Sequence, residues 1–406
     1  MYIRRFRVKN YMCHKETEVV LSPIAVFVGP NAGGKSALFD AILNFSMVAR
    51  GNIRQAFGPY PFSYAATKFH GALPIERIGF RADMSSCAEA GEHLQYILDY
   101  TQQGGGDFGA PGFRITNERL LLQPSNQVIF DRNEPASSPL RKALQYLEED
   151  RGILAALRTA YLAGDADAQD SPYVEVARGI SRFNRFRLNP YDLAAPSRLP
   201  DVSAESEFAP RIGYQGEDLA SSLYYLKETK NPALEVIAER VRKVAPEFQR
   251  FEFNFLGPDR VAFLMVFDDA RGEIPAVRVS SGLLMYLGLM VLTCSPNRPP
   301  VLLIEEPENG LTPTAIREFY AAVHELALRT SVQDRSQVLI SSHSPFVICE
   351  AWNGEDRDFI HQVKVVDGFS VTRTFAEAIR DAGIVLRTGD QLGLKAAELV
   401  MSGYCS

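Results

Sequence analysis

Apolar positions in the first fifty residues follow two periods. Residues 3–8 and 16–21 alternate loosely between apolar and charged side chains, the period of half-buried strands. Ile24-Ala25-Val26-Phe27-Val28 is apolar throughout, as in a strand covered on both faces. Residues 37–48 place apolar side chains at three- and four-residue steps, which predicts a helix. Strand-like runs then recur at 75–81, 94–100, 114–123 and 127–131, punctuated by Gly104-Gly105-Gly106 and Pro111-Gly112. Leu140, Leu144, Leu147, Leu154, Leu157 and Tyr161 predict a helix over 139–163, with Gly152 a candidate break. Residues 164–172 read as a polar loop and the Pro-rich 189–210 as a connector. Helices are expected at 217–228 and 232–245.

From about residue 250 strands and helices alternate. Strands are expected at 250–256, 260–268, 301–304, 337–341 and 359–366, and helices at 283–293, 313–329, 375–382 and 391–401. Such alternation predicts an α/β core with a mostly parallel sheet. Residues 1–50 and 250–406 are therefore expected to form one split domain. Residues 51–249 would be an inserted α+β lobe, strand-rich and then helical.

Gly29-Pro30-Asn31-Ala32-Gly33-Gly34-Lys35-Ser36 fits the phosphate-loop spacing G-x-x-x-x-G-K-[ST], with a predicted strand before it and a predicted helix from Ala37. Small residues let successive N–H groups turn inward around a phosphate, and a helix start adds its positive dipole end. Lys35 has the reach for β- and γ-phosphates, and the Ser36 hydroxyl is a Mg²⁺ ligand of the usual kind. The run implies ATP or GTP.

Val301-Leu302-Leu303-Ile304 ends in Glu305-Glu306. A buried strand ending in acids presents one carboxylate near Mg²⁺, here Glu305, and one that orients and deprotonates water, here Glu306. Another apolar strand, Gln337-Val338-Leu339-Ile340, ends in Ser341-Ser342-His343-Ser344-Pro345, which places His343 where it can donate to a γ-phosphate. Ser281 and Gly282 open a predicted helix. Taken alone they read as an ordinary N-cap; beside a loop that already serves one nucleotide, they fit the phosphate of a second copy.

Composition narrows the partners. The chain has 406 residues and net charge −6, so nucleic acid would have to meet a local patch. Arginines interleave with Phe183 and Phe186 in the run Arg178 to Arg187, and Arg4, Arg5, Arg7 and Lys9 lie along the first strand. Both fit phosphate contacts, although charge runs more often solvate a surface. Glu355-Asp356-Arg357-Asp358 reads as a solvated loop rather than a metal site. The five cysteines form no C-x-x-C pair, which suggests reduced thiols. The N-terminus lacks a signal-peptide core, and the apolar run 282–294 is too short to span a bilayer. A cytoplasmic protein is expected.

The order of phosphate loop, Ser-Ser-Gly, Glu305-Glu306-Pro307-Glu308-Asn309-Gly310-Leu311 and Ser342-His343-Ser344-Pro345 resembles the ABC-type ATPase heads of the RecF, Rad50 and SMC class. It is most similar to the RecF- and OLD-like AAA-15 and AAA-21 ATPases. Lys9-Asn10-Tyr11 and Gly216 to Leu226 extend the likeness. The resemblance implies a P-loop NTPase fold with a mixed or parallel sheet. It makes Lys35 and Ser36 the Walker A ends, Ser281-Gly282 the signature, Glu305 and Glu306 Walker B, Asn309-Gly310-Leu311 the D-loop and His343 the switch histidine. It implies a head-to-tail homodimer or higher oligomer closing around two ATP–Mg²⁺, with slow hydrolysis and Glu306, His343 and Lys35 as catalytic residues. It points to antiviral defence or DNA repair, through a separate effector such as a nuclease or through DNA held directly. A scaffold that binds nucleotide without hydrolysis is the further alternative. Ala32, the single signature Gly, Glu305 and Thr312 depart from the family pattern, and no Q-loop Gln is placed. Neither a TOPRIM domain nor a coiled-coil arm is visible in the sequence.

Overall fold

Alternation along β1 (Tyr2–Tyr11) sends Ile3, Phe6, Val8 and Tyr11 inward and leaves Arg5 and Lys9 exposed. The computed structural model describes residues 1–57, 63–72, 76–85, 91–103, 112–135, 140, 142–169, 171–203, 209–328, 334–354, 357–384, 392–395 and 397–398. They divide into two compact units. The first comprises residues 1–183, 358–385 and 399–406; the second comprises 184–357 and 386–398.

In the first unit β1 pairs antiparallel with β2 (His14–Val20) and, after the buried strand β3 (Ile24–Val28), with β4 (Ile78–Ser85). β5 (His93–Gln103), β6 (Gly112–Gln123) and β7 (Gln127–Asp131) complete a six-stranded antiparallel sheet in the order β2-β1-β4-β5-β6-β7. Helix α1 (Lys35–Arg50) meets this sheet through Phe45, whose ring lies 5.7 Å from Phe6, 5.9 Å from Phe80 and 6.0 Å from Tyr96. Such offset and edge contacts add to the area these rings bury. The short helices α2 (Ile53–Phe57) and α3 (Ser63–Thr67) extend the cluster, with Phe57 stacked on Phe113 at 5.4 Å. Helices α4 (Ile153–Leu162), α5 (Ala166–Gln169) and α6 (Pro172–Ile180) complete this stretch, and α4 and α6 pack on α1.

The second unit begins with β8 (Asn184–Phe186), α7 (Pro190–Ala194) and β9 (Ser197–Arg198). Helices α8 (Leu219–Glu228) and α9 (Ala233–Val244) precede an antiparallel group of β10 (Phe248–Phe255), β11 (Arg260–Phe267) and β12 (Glu273–Pro275). Helix α10 (Ser281–Cys294) is apolar on every face and buried from Leu284 onward, as a helix wrapped by others must be. Strand β13 (Val301–Glu305) runs parallel between β8 and β14 (Gln337–Ser342), flanked in sequence by α11 (Pro313–Ala327) and α12 (Pro345–Asn353). The chain then returns to the first unit. β15 (Ile360–Val366) pairs parallel with β3 and antiparallel with β16 (Phe369–Thr374), and a capping box at Thr374 and Glu377 starts α13 (Phe375–Asp381).

The fold is α/β with mixed sheets, and several expectations change. A boundary at residue 50 would cut through one sheet, because β1 bonds to β4. A boundary at 250 would separate β8 from its partner β13. The expected helix 139–163 is a 3-10 turn at Ala143–Tyr146 and a helix only from Ile153. The break has a cause: a Cβ on Gly152 would lie 2.6 Å from Glu118 Oε1 and 2.7 Å from Tyr96 Oη. Glu118 is fully buried and accepts from Tyr96 Oη at 2.6 Å, Ile153 N at 2.6 Å and Arg132 Nε at 2.9 Å, so its charge is matched. The loop 164–172 contains α5, and the connector 189–210 contains α7 and β9. Strands 250–268 form an antiparallel pair. Helix α12 and strand β16 were not expected. Of the helix predicted at 391–401, residues 394–395 and 397–398 are helical, while 391, 396 and 399–401, like Gly104-Gly105-Gly106 and Pro111, lie outside the described residues. Among the described residues no helix is long and apolar enough to cross a membrane.

His361 on β15 stacks on Phe27 at 5.1 Å and donates from Nε2 to the Val20 carbonyl at 2.9 Å. Burial pulls its pKa from 6.5 down to about 4, against the opposing pull of that carbonyl. Between those values the unfolded chain takes a proton that the folded chain refuses, so stability is lost as pH falls from 6.5 toward 4. The group contributes about 3 kcal/mol over that window. Urea unfolding at pH 7 and pH 4 is expected to show a smaller acid loss in His361→Gln than in wild type, by roughly that amount; equal losses would refute it.

Candidate functional site

Residues Gly29 to Ala37 belong to the first unit, while Ser281, Gly282, Glu305, Glu306 and His343 belong to the second. In the first, the five buried residues of β3 hand the chain to a loop of unusual backbone. Gly29 has φ 149°, Ala32 φ 61° and Gly34 φ 105°. A Cβ on Gly29 would lie 2.0 Å from the Val363 carbonyl of β15, and one on Gly34 would lie 2.1 Å from Ser370 Oγ and 3.0 Å from Cys13 Sγ. The glycines are therefore required by close approach as well as by φ. Ala32 holds the left-handed conformation that glycine adopts more cheaply.

Lys35 is buried and folds back on its own loop, donating from Nζ to the carbonyls of Gly29 at 2.7 Å and Pro30 at 2.9 Å. Pro30, Asn31, Ala32 and Ser36 are exposed, and Gly33 N–H closes a turn on Pro30 O at 3.1 Å. Behind the loop stand two residues that the sequence reading missed. Ser370 Oγ donates to Gly33 O at 2.9 Å, and His14 Nε2 donates to Gly34 O at 3.0 Å. His14 sits in the β1–β2 hairpin beside Lys9-Asn10-Tyr11, where Asn10 and Met12 have positive φ. Desolvation lowers its pKa, although the Gly34 carbonyl opposes that. A neutral ring that donates from Nε2 accepts at Nδ1, which here faces Thr17 Oγ1 at 2.9 Å.

In the second unit the acids stand at the C-terminal end of β13. Glu305 is buried and ion-paired with Arg185 of β8. Glu306 has φ 47°, a conformation costly for a residue with a long side chain. Its N–H bonds Ser341 O at 2.8 Å, and its Oε2 accepts from Asn309 Nδ2 at 3.1 Å and Arg187 Nη2 at 3.2 Å. His343 Nδ1 lies 3.8 Å from Glu306 and 3.4 Å from Glu308. Glu308 is buried and accepts from Ser342 Oγ at 2.7 Å and from His343 N at 2.9 Å, so it fixes the turn that carries the histidine. Ser281 is exposed at the first turn of α10, and a Cβ on Gly282 would lie 2.4 Å from Gly310 O. The expected signature and D-loop thus meet where Gly282 approaches the Gly310 carbonyl. Thr312 caps α11, accepting from Ala315 N at 3.3 Å.

The arginine run is corrected. Phe183 and Phe186 are buried and offer no stacking face, and Arg185 and Arg187 serve Glu305 and Glu306. Arg178 lies over Tyr161 at 4.5 Å. On the first strand, Arg5 pairs with Glu18 at 3.2 Å, and Arg7 pairs with Glu16. That face of β1 and β2 carries exposed ion pairs. Of the acidic cluster, Glu355 and Asp356 lie outside the described residues, and Arg357 sits over Trp352 at 4.4 Å.

The Arg185 side chain is 14% exposed and that of Arg187 is 54% exposed. Removing one partner of a buried pair costs far more than removing a surface charge. Arg185→Ala is expected to destabilise by about 3 kcal/mol and Arg187→Ala by less than about 1 kcal/mol. Denaturant unfolding checks the contrast, and equal costs would contradict it.

Three comparisons bear on this geometry. The sequence matches the family described as "AAA domain, putative AbiEii toxin, Type IV TA system" (AAA_21) over residues 97–349, and an "AAA ATPase domain" family (AAA_15) over residues 1–72. An OLD nuclease of Thermus scotoductus is 22% identical over 358 residues, which cover 84% of this chain and 59% of the relative. The chain thus spans about 59% of the length of that relative. Among solved structures, an SMC head bound to the C-terminal winged-helix domain of ScpA is similar in fold at 14% identity and TM-score 0.53, covering 93% of this chain and all of the other. With more than half its length inside the first family's match, this chain belongs to the AAA_21 family of ATPase domains.

Proposed function

We propose that the chain binds ATP through Gly29 to Ala37 and hydrolyses it slowly, with Glu306 as general base and His343 as the group that meets the γ-phosphate. The observation that carries this reading is the meeting of Glu306 and His343 at the ends of β13 and β14 within 3.8 Å, beside a buried acid, in a member of an ATPase family. Lys35, which now caps two loop carbonyls, would exchange them for phosphate oxygens. Ser36 and Glu305 offer hard oxygen donors of the kind that Mg²⁺ takes, and the guanidinium of Arg185 already draws on the Glu305 charge. Bound Mg²⁺ would supply neutralisation of charge on the transferred phosphoryl group.

In this reading a second copy contributes Ser281-Gly282, so that ATP closes a homodimer and hydrolysis opens it. The exposed Ser281 at a helix start supports that role. The relative's name, OLD nuclease, supports a further step: the switch governs an effector of nuclease type in antiviral defence or DNA repair. A second reading, nucleotide binding without turnover, is favoured by the hydrogen bonds of Arg187 and Asn309 to Glu306 Oε2, which hold the base in check. A DNA clamp built on Arg182, Arg185 and Arg187 loses support, since two of these are engaged by the acids.

Glu306→Gln keeps the hydrogen-bonding shape and removes the base. It is expected to abolish phosphate release, by at least about a hundredfold, and to accumulate an ATP-bound dimer in sizing chromatography. A variant that stays monomeric with ATP would sink the dimer. A wild type that binds ATP and never releases phosphate would leave the scaffold reading.

A further inference from the structure

We infer that Ser370 and His14 are positioning residues of the phosphate loop, holding two successive peptide planes so that their N–H groups face the nucleotide. This rests on the nucleotide-binding reading of Gly29 to Ser36 and adds residues lying outside that run. A trans peptide sets its C=O and N–H in opposite directions. Ser370 Oγ holds the carbonyl of Gly33 at 2.9 Å, which turns the Gly34 N–H to the other side. His14 Nε2 holds the carbonyl of Gly34 at 3.0 Å, the same carbonyl that accepts Leu38 N–H at 3.0 Å at the start of α1. That double hold turns the Lys35 N–H away from the helix, toward the loop. These are the amides that a loop of this spacing offers to phosphate oxygens.

The fit is close enough to exclude a Cβ at Gly34, whose nearest neighbours would be Ser370 Oγ, Ser370 Cβ and Cys13 Sγ. Both positioning residues are themselves fixed. Ser370 is 1% exposed and its N–H bonds Cys13 O at 2.8 Å, which ties β16 to the β1–β2 hairpin. His14 is fully buried, with Thr17 at its other nitrogen. A buried hydroxyl and a buried imidazole each spend their hydrogen on a loop carbonyl. Preorganisation of this kind lowers the cost of ordering the loop when the anion arrives.

The test uses the full chain and ADP as probe, with adenosine as a control that lacks phosphate. Ser370→Ala is expected to weaken ADP binding roughly tenfold, and Ser370→Cys, which fills the space and donates weakly, roughly threefold. Adenosine binding should not change in either. His14→Gln, which keeps a donor, should bind ADP more tightly than His14→Leu. Thermal melts without nucleotide separate positioning from folding: the graded loss of ADP affinity should persist among variants whose melting temperatures match. ADP affinity equal to wild type in Ser370→Ala, or losses that track melting temperature alone, would overturn the inference. A wild-type chain that binds neither ADP nor ATP would overturn the nucleotide reading itself and this inference with it.

Discussion

Close backbone approach, with no room for a side chain, is the constraint on which the rest of the structure depends. It occurs at Gly29 against the Val363 carbonyl, at Gly34 against Ser370, and at Gly282 against the Gly310 carbonyl. In the first two cases one loop is pressed against β15 and β16 of its own unit; in the third the start of α10 meets the turn after Glu306. Under the proposed function the loop of Gly29 and Gly34 needs its amides aimed outward, and the start of α10 needs its place beside the turn after Glu306. A Cβ at any of these points would move the loop by more than a hydrogen bond tolerates. Rigid strands behind the loops make that precision affordable, because a site built on regular elements holds its geometry better than one built on loops alone.

Electrostatics shape the second unit in the same way. Four carboxylate-bearing or imidazole side chains, Glu305, Glu306, Glu308 and His343, gather at the ends of two adjacent parallel strands. Such a gathering of acids repels itself unless cations or donors answer it. Arg185 answers Glu305, Arg187 and Asn309 answer Glu306, and Ser342 with the His343 amide answers Glu308. The exposure of each pair matches its burden. The buried Glu305 has the more buried arginine, and the exposed arginine faces the less buried Glu306.

What was legible in the sequence was local. The phosphate loop, the two acids after an apolar strand, and His343 after another are short strings whose chemistry lies within a few residues. The pieces that escaped join distant parts of the chain. Ser370 meets Gly33 across 337 positions, and nothing in the string Phe369-Ser370-Val371 announces it. β8 is three residues long, too short to show a period, so Arg185 and Arg187 read as part of a charge run until its pairing with β13 gave them partners. The boundary placed at residue 50 failed for a related reason. The change from loop–helix to repeated strands is real, yet β4 bonds back to β1, and composition carries no record of which strands pair. Gly152 was visible as a break only because glycine is a breaker; the cause, Glu118 and Tyr96 behind it, was not.

The chemistry is divided between the units. Under the proposed function the first holds the amides and the lysine for phosphate, and the second holds Glu305, Glu306, His343 and Ser281. Neither set hydrolyses ATP alone under the proposed function, since a bound phosphate needs a base and a base needs a bound phosphate. In that proposal turnover would depend on a dimer that nucleotide itself favours. A ligand can favour one arrangement only by binding it more tightly than the others. The γ-phosphate is the part of ATP that ADP lacks, and His343 and the partner's signature are the groups assigned to it. The same contacts that would permit hydrolysis would therefore report which nucleotide is bound. With Arg187 and Asn309 restraining Glu306, the report would outlast the binding event, which is what a switch requires and a fast hydrolase does not.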